Sequence, residues 1–391
     1  MQANAAGPLG PQVLVAGAGM IVRDQILPAL YQLQRLGRVG EIAVCASKSA
    51  SMDALACDET LLAVFPGQSF RREASYSEAL ERLAVRNLVA VAVPDHLHHE
   101  FIMQALGREQ HVLSVKPLAL EHRHAVEIAD EARRRSLLVG IDYHKRFDDR
   151  SLMARRAYRE GRFGEFRLGA ARLIEKWYYR RSNFQNWMTA ENSDAFTYIG
   201  CHYVDLVHFI TGLLPSGVSV YGILDRFPNG REGYLWTDAR VLWENGACLN
   251  VQNGLGLPDA APGANTQGLI LYFQGGGAGA WLDHSDQYRG LRHCYATQSS
   301  GPGATLYAEP NPDYLQYVDL GGPGLVPVGY GYRSIAHIVE AAAAVNAGRL
   351  APESADAAGL MATPANSAFN ERVIEAARAS LRAGGREINL L

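Results

Sequence analysis

Between Val13 and about Asp142 the chain alternates short apolar runs with helical patterns, and this alternation limits the possible folds more than any other feature. The run VLVAG is followed by Ile26, Leu27, Leu30 and Leu33, spaced i, i+1, i+4, i+7 as on one helix face. EIAVCA, LVAVAVP, HVLSV and LLVGIDY repeat the apolar theme, and YSEALERLAV, HEFIMQALG and HAVEIADEARRR stand between them. A strand buried on both faces reads as a continuous apolar run, and parallel neighbours need a crossover helix. The pattern predicts an α/β fold with a doubly wound parallel sheet.

The second half changes period. After one helical stretch, SLMARRAYREG, come EFRLGAARLIEKW, VSVYGILDRF, ARVLWENGACLNVQN, LILYFQ and AGAWLDHS. Their period-two alternation predicts a large, mainly antiparallel sheet with helices on one face, and glycine-rich turns such as FQGGGAGA punctuate it. YRSIAHIVEAAAAVNAG and NSAFNERVIEAARASLRAG return to helix. A chain of 391 residues exceeds what one core usually serves. We therefore expect two domains, residues 1–147 (with 1–11 a loose tail rather than a signal peptide) and residues 148–391.

The net charge of −3 leaves no electrostatic footprint for nucleic acid or an anionic membrane. Five scattered cysteines without a CxxC argue for a reducing compartment and against a zinc cluster. No run of about eighteen apolar residues occurs, so a cytoplasmic protein is expected. DHLHHE, Asp95 to Glu100, is rich in metal-ligand types. Adjacent helix residues point in different directions, so it reads as a helix start with Asp95 as N-cap, and no metal is expected.

VLVAGAGMIV is a strand running into Gly17-x-Gly19 and then a helix. Gly17 suits a tight turn, and Gly19 lets backbone approach a pyrophosphate at the positive helix end, with Met20 and Ile21 beside it. The third position of this fingerprint is Val22. The second strand ends in VCASKSAS, where a dinucleotide site often places a carboxylate for the ribose. Ser47 and Lys48 suit a 2′-phosphate better, so NADP(H) is favoured over NAD(H).

Five segments in order resemble the Gfo/Idh/MocA oxidoreductases, the family of glucose–fructose oxidoreductase and inositol dehydrogenase. They are the Gly17–Gly19 turn; VPDHLHHE through Pro94, Asp95 and His98; HVLSVKP; GIDYHKRFDD with GRFGEFR; and GCHYVDLVHFITG through Gly200, His202, Asp205 and Gly212. The resemblance implies a Rossmann domain followed by an α/β domain with a large open sheet. It implies that Pro94, Asp95, His98 and Lys116 lie at the cofactor and that Lys116 and His202 handle the proton; the Tyr198 hydroxyl, which can donate or accept a proton, is a further catalytic candidate. It also implies a homodimer or homotetramer through the C-terminal sheet. Lys116 follows a parallel strand at the edge where open sheets gather ligands. Trp177, Arg180 and Asp205 are candidates, with Lys116 and His202, for binding a polyol or sugar. Over a helix spanning 198–209, Tyr198, His202 and Asp205 share a face at i, i+4, i+7.

Two residues depart from the family. Val115 stands for the usual glutamate before Lys-Pro, and Tyr198 for an aspartate four residues before the histidine. Asp194 and Asp205 are the nearby carboxylates that could substitute. The expected activity is hydride transfer between a nicotinamide and a secondary hydroxyl or keto carbon of a sugar, cyclitol or glycoside. A non-catalytic dinucleotide sensor or co-repressor and a redox-neutral NAD-dependent glycosidase remain open.

Overall fold

In the computed structural model, which describes residues 10–274, 279–284, 293–296, 305–308 and 314–390, the chain forms two compact units, each with its own sheet. The first comprises residues up to Ala119, Arg123–His144 and Tyr317–Ala368; the second comprises Leu120–His122, Lys145–Gln316 and Phe369 onward. Residues 275–278 of the glycine-rich FQGGGAGA turn lie outside the described residues.

The first sheet contains β1 (Val13–Ala16), β2 (Ile42–Cys45), β3 (Arg71–Glu73), β4 (Leu88–Val91), β5 (His111–Val115) and β6 (Val139–Asp142). All pairs are parallel, in the order β3-β2-β1-β4-β5-β6. Its helices are α1 (Leu27–Arg35), α2 (Ser49–Ala56), α3 (Glu59–Val64), α4 (Tyr76–Arg82), α5 (His98–Gly107) and α6 (His122–Arg134). β1, β2 and β4 are buried along their whole length, as crossover helices on both faces require. α1 turns Leu27, Leu30 and Leu33 inward, all fully buried, so the helix spacing in the sequence is the spacing of the core. Strand order reverses between β1 and β4, the switch point where such sheets bind ligands.

In the second unit α7 (Asp149–Arg159) precedes β7 (Phe166–Lys176); α8 (Phe184–Trp187) and α9 (Cys201–Thr211) follow. Then come β8 (Pro215–Arg226), β9 (Glu232–Trp243), β10 (Cys248–Leu257), β11 (Asn265–Phe273), β12 (Ala280–His284), β13 (His293–Ala296) and β14 (Thr305–Ala308), after which β15 (Gln316–Val318) and β16 (Val326–Val328) lead back into the first unit. α10 (Tyr330–Asn346), α11 (Pro364–Arg382) and β17 (Ile388–Asn389) end the chain. The large sheet runs β12-β11-β7-β10-β9-β8-β17, antiparallel except for β7 with β10. Alternation buries Val218, Val220, Ala239, Val241, Leu249 and Val251 on one face. The opposite face leaves Leu168, Tyr221, Ile223, Tyr272 and Trp281 exposed.

α10 belongs to the first unit although it lies near the end of the sequence. Its buried Ile335, Ile338, Val339 and Ala342 repeat at i, i+3, i+4, i+7 and join the Rossmann core. Gly140 in β6 allows this approach, because a Cβ there would sit 2.9 Å from the Ile338 side chain. The same packing encloses His111. Its Nδ1 accepts from the Leu138 amide at 2.9 Å, and its Nε2–H donates to Asn346 Oδ1 at 3.0 Å.

Burial lowers the His111 pKa, against a smaller opposing pull from Asn346, so the folded state holds this ring neutral. The unfolded chain, with a histidine pKa near ~6.5, then binds the extra proton as pH falls. The stabilisation is full above that value and is lost as pH drops below it, by at most about 1.4 kcal/mol per pH unit for one group. Urea midpoints should therefore fall between pH 7.5 and pH 5.5, and fall less in His111→Gln; equal slopes for variant and wild type would refute this role.

Candidate active site

In the first unit the site grows from the ends of β1, β2, β4 and β5. Gly17 follows β1 at φ 121°, and its amide donates to Cys45 O at 2.8 Å. A Cβ at Gly17 would lie 2.2 Å from Ala92 O, so only glycine lets the turn pass the strand beside it. Gly19 is exposed with nothing within 4 Å of a Cβ position, and the helix begins at Met20. An open glycine at a helix N-terminus over a switch point fits a dinucleotide pyrophosphate. Gly17→Ala is expected to cost about 1–3 kcal/mol of backbone strain, before the clash, and to abolish nucleotide binding. Gly19→Ala should leave the melting temperature unchanged, and calorimetric titration with nucleotide checks the contrast.

Val22, at the third fingerprint position, is fully buried and opens a π-helical turn, Val22–Ile26, ahead of α1. π turns cluster at functional sites, and this one aims Gln25 into the unit. Gln25 Nε2 donates to Asp142 Oδ2 at 2.9 Å and to Gly331 O at 3.1 Å; Ser334 Oγ donates to Asp142 as well. This buried network locks the nucleotide helix to β6 and α10. Nothing in the sequence pattern singled out these residues, because their partners lie in segments far apart in the chain.

Ser47 and Lys48 are exposed directly after β2, and Lys48 is the N-cap of α2. Lys116 is half-buried immediately after β5, and its peptide bond to Pro117 is cis. Pro94 caps the 3-10 turn Asp95–Leu97, while Asp95 is its first residue and buried. Asp95 is therefore not the N-cap expected from the sequence; the preceding proline fixes the cap position one residue earlier. His98 opens α5 and is fully buried. Its Nδ1 lies 2.6 Å from Pro117 O and its Nε2 2.8 Å from Val93 O. The ring thus ties the turn after β4 to the turn carrying Lys116.

In the second unit the histidine helix starts with a π turn, Phe196–Gly200, before α9. Asp194 caps it, accepting from the Thr197 amide at 2.8 Å and the Thr197 hydroxyl at 2.6 Å. Burial raises the Asp194 pKa, and the Thr197 bonds oppose the rise. Gly200 lets the turn settle on β10, since a Cβ would lie 2.6 Å from Asn253 Oδ1. His202 lies in the first turn of α9 and is 7% exposed.

Asp205 is buried and accepts from Arg146 Nε at 2.8 Å and from Arg146 Nη2 at 2.5 Å. Asn370 Nδ2 donates to it at 3.0 Å. Tyr198 is half-buried among rings, with Phe184 at 4.8 Å and Trp187 at 6.0 Å. Tyr198 thus packs among rings in the π turn, and Asp205 pairs with Arg146 in the second turn of α9.

Trp177 and Arg180 occupy the 3-10 turn Trp177–Arg181. Arg180 is buried with its guanidinium 4.0 Å from the Trp177 ring centroid and 5.3 Å from that of Trp236. Its Nε donates to Leu255 O at 2.5 Å and its Nη1 to Asp225 Oδ2 at 2.6 Å. Hydrogen bonding to Arg180 in turn holds the Asp225 pKa below its usual value. Trp236 points to the opposite sheet face from Thr237 and Asn253. Arg180 is therefore clamped on one face, whereas the histidine helix rests on the other. Lys145 and Gln267 were missed in the sequence. Buried Lys145 Nζ donates to Gln267 Oε1 at 2.6 Å and lies 5.4 Å from the Tyr203 ring centroid.

The first sheet and its glycine turn define an NAD(P)-binding Rossmann fold, joined in this chain to a mixed, mostly antiparallel sheet. The chain belongs to the Gfo/Idh/MocA oxidoreductases. Residues 12–143 match that family's NAD-binding Rossmann-fold model, and residues 151–276 match a C-terminal domain model of the same family. D-glucoside 3-dehydrogenase of Escherichia coli is 25% identical over 208 residues, 51% of this chain and 54% of the relative. The chain spans about a third to a half of the length of the first curated relatives it matches. Among solved structures, GenD2 from gentamicin A biosynthesis, in complex with NAD, has a TM-score of 0.69 at 16% identity, covering 100% of this chain and 99% of that one. Scyllo-inositol dehydrogenase of Lactobacillus casei, with NAD(H) and scyllo-inositol, has a TM-score of 0.64 at 14% identity, covering 97% and 99%. These likenesses bear on the fold.

Proposed function

We propose that this protein is an NAD(P)-dependent dehydrogenase or reductase acting on a secondary hydroxyl or keto carbon of a sugar, cyclitol or glycoside. The observation that carries the proposal is the Gly17–Gly19 turn, open at a helix N-terminus over the switch point, in a chain of this family. Relatives named for sugar dehydrogenation point to the substrate class.

The nucleotide is held by Gly17, Gly19, Met20 and Ile21, with Pro94 and Asp95 at the neighbouring strand end. A bound nicotinamide supplies a hydride acceptor or donor. Lys116 Nζ donates to the substrate oxygen and steadies the charge that develops there. An imidazole nitrogen of His202 takes the hydroxyl proton during oxidation and returns it during reduction. The Tyr198 hydroxyl assists, and His98 positions Lys116 through Pro117. Asp205 acts on the substrate side through α9, which its pairing with Arg146 holds. Trp177 and Arg180, clamped on the sheet face opposite the histidine helix, take no part in this step.

A screen of polyols and glycosides, followed at the reduced-nicotinamide absorbance band, tests the proposal. Binding of nucleotide with no turnover on any of them would point to a sensor. Glycoside cleavage without net cofactor change would point to a glycosidase.

We infer NADP(H) as the preferred nucleotide, because exposed Ser47 and Lys48 follow β2 with no carboxylate between β2 and α2. Lys48→Ala should weaken NADP by about tenfold, the order of one charge-assisted contact of 1.5 kcal/mol, and leave NAD unchanged. Tighter binding of NAD than NADP by the wild type would overturn this preference.

We further infer a homodimer or homotetramer through the outer face of the large sheet, supported by exposed Leu168, Tyr221, Ile223, Tyr272 and Trp281. A monomer by light scattering at micromolar concentration would refute it. No described helix is long and apolar enough to cross a membrane, and we infer a cytoplasmic location.

A further inference from the structure

Just past the turns that follow β4 and β5, three side chains of the first unit converge between the starts of two neighbouring helices. His99 is the second residue of α5; His124 and Glu127 lie at i and i+3 of α6 and so share one helix face. The imidazoles of His99 and His124 stack with centroids 3.9 Å apart and an interplanar angle of 12°. His99 Nε2 lies 2.8 Å from Glu127 Oε2. One potential ligand atom from each residue falls within 4.8 Å of the other two. Both rings are half-buried and Glu127 is exposed, so the cluster opens to solvent along one side.

We propose that His99, His124 and Glu127 bind a divalent transition-metal ion of the zinc type, clipping α5 to α6. Two imidazoles and one carboxylate are a donor set that zinc takes, with water completing a tetrahedron. Metal bonds of about 2.0–2.2 Å put tetrahedral donors about 3.4 Å apart, so binding requires the two rings to turn out of their stack until their in-plane lone pairs converge on one ion. The carboxylate of Glu127 already faces His99, and the cluster is open to solvent on the side where an ion would enter. The charge of Arg123 acts on His99, and it is the reason for expecting moderate rather than extreme affinity. DHLHHE was dismissed on sequence because its own histidines diverge. The site instead takes one histidine from that stretch and two ligands from the next helix.

The test uses the full-length chain without a histidine tag, freed of metal by chelator, and titrated calorimetrically with zinc. One zinc ion per chain is expected, with micromolar or tighter affinity and a higher melting temperature in its presence. His99→Ala and His124→Ala should each weaken binding by at least about tenfold, as loss of even supporting partners does at metal sites, and Glu127→Gln should weaken it less. Glu127 is exposed, so the metal-free melting temperature of Glu127→Gln should match the wild type, and that of each histidine variant gives the baseline for its own titration. Cobalt substitution should give the visible absorption of a tetrahedral centre, absent in His99→Ala. No zinc binding, or binding that none of the three substitutions affects, overturns the proposal.

Discussion

His202→Ala is expected to lower kcat for polyol oxidation by roughly 10²–10⁴-fold, the usual share of a positioned general acid–base, while nucleotide affinity stays at the wild-type value. Imidazole is the side chain whose ordinary pKa lets it exchange a proton near neutrality. α9 holds this ring in a nearly closed environment, 7% exposed. The helix is fixed at its start by the Asp194 cap and the Gly200 contact, and in its second turn by Asp205 with Arg146. Removing the imidazole takes away the proton acceptor and leaves that frame intact, so loss should fall on kcat rather than on stability. Single-turnover absorbance with wild type and variant measures this directly. An unchanged kcat would remove His202 from the chemistry and move the proton to Lys116 or Tyr198.

The second large effect is on stability. Arg146→Met should cost about 3–5 kcal/mol in urea unfolding, because it strands the Asp205 carboxylate at 1% exposure. Arg146 and Asp205 form a two-point pair, and Asn370 donates to the same carboxylate. Desolvation of both ions has already been met in the folded state, so breaking the pair costs more than the pair contributes. Replacing both, Arg146→Met with Asp205→Leu, should destabilise less than Arg146→Met alone. The double variant still leaves the Asn370 amide without an acceptor, a cost of about 1–3 kcal/mol. A double variant at least as destabilised as Arg146→Met alone would show that the pair is net stabilising over its apolar replacement.

Much of the first unit was legible because a parallel sheet leaves a one-dimensional trace. Val13–Ala16, Ile42–Cys45 and Leu88–Val91 are buried on both faces, and no polar alternation interrupts them. The glycine turn was legible for a similar reason, since the steric demand at Gly17 is local to the backbone. The histidine helix was only partly legible. GCHYVDLVHFITG marks a helix, but nothing in it marks the π turn over Phe196–Gly200 or the contact of Gly200 with Asn253, far along the chain. Arg180 was legible as a candidate, yet its clamp between Trp177 and Trp236 depends on a strand that the local pattern cannot see.

By itself, then, the sequence determined the fold class, the nucleotide turn, and the place of Lys116 at the end of a strand. Each depends on period or on one residue's backbone freedom, and both are properties of neighbours in the chain. Tertiary structure alone decided that residues 317–368 complete the first unit and that Asp205 answers Arg146. It also decided that His98 ties Val93 to the Lys116–Pro117 turn, and that His99 meets His124 and Glu127. Those pairings depend on which buried polar groups find partners once the apolar faces have packed, and the partners come from segments that no local pattern connects.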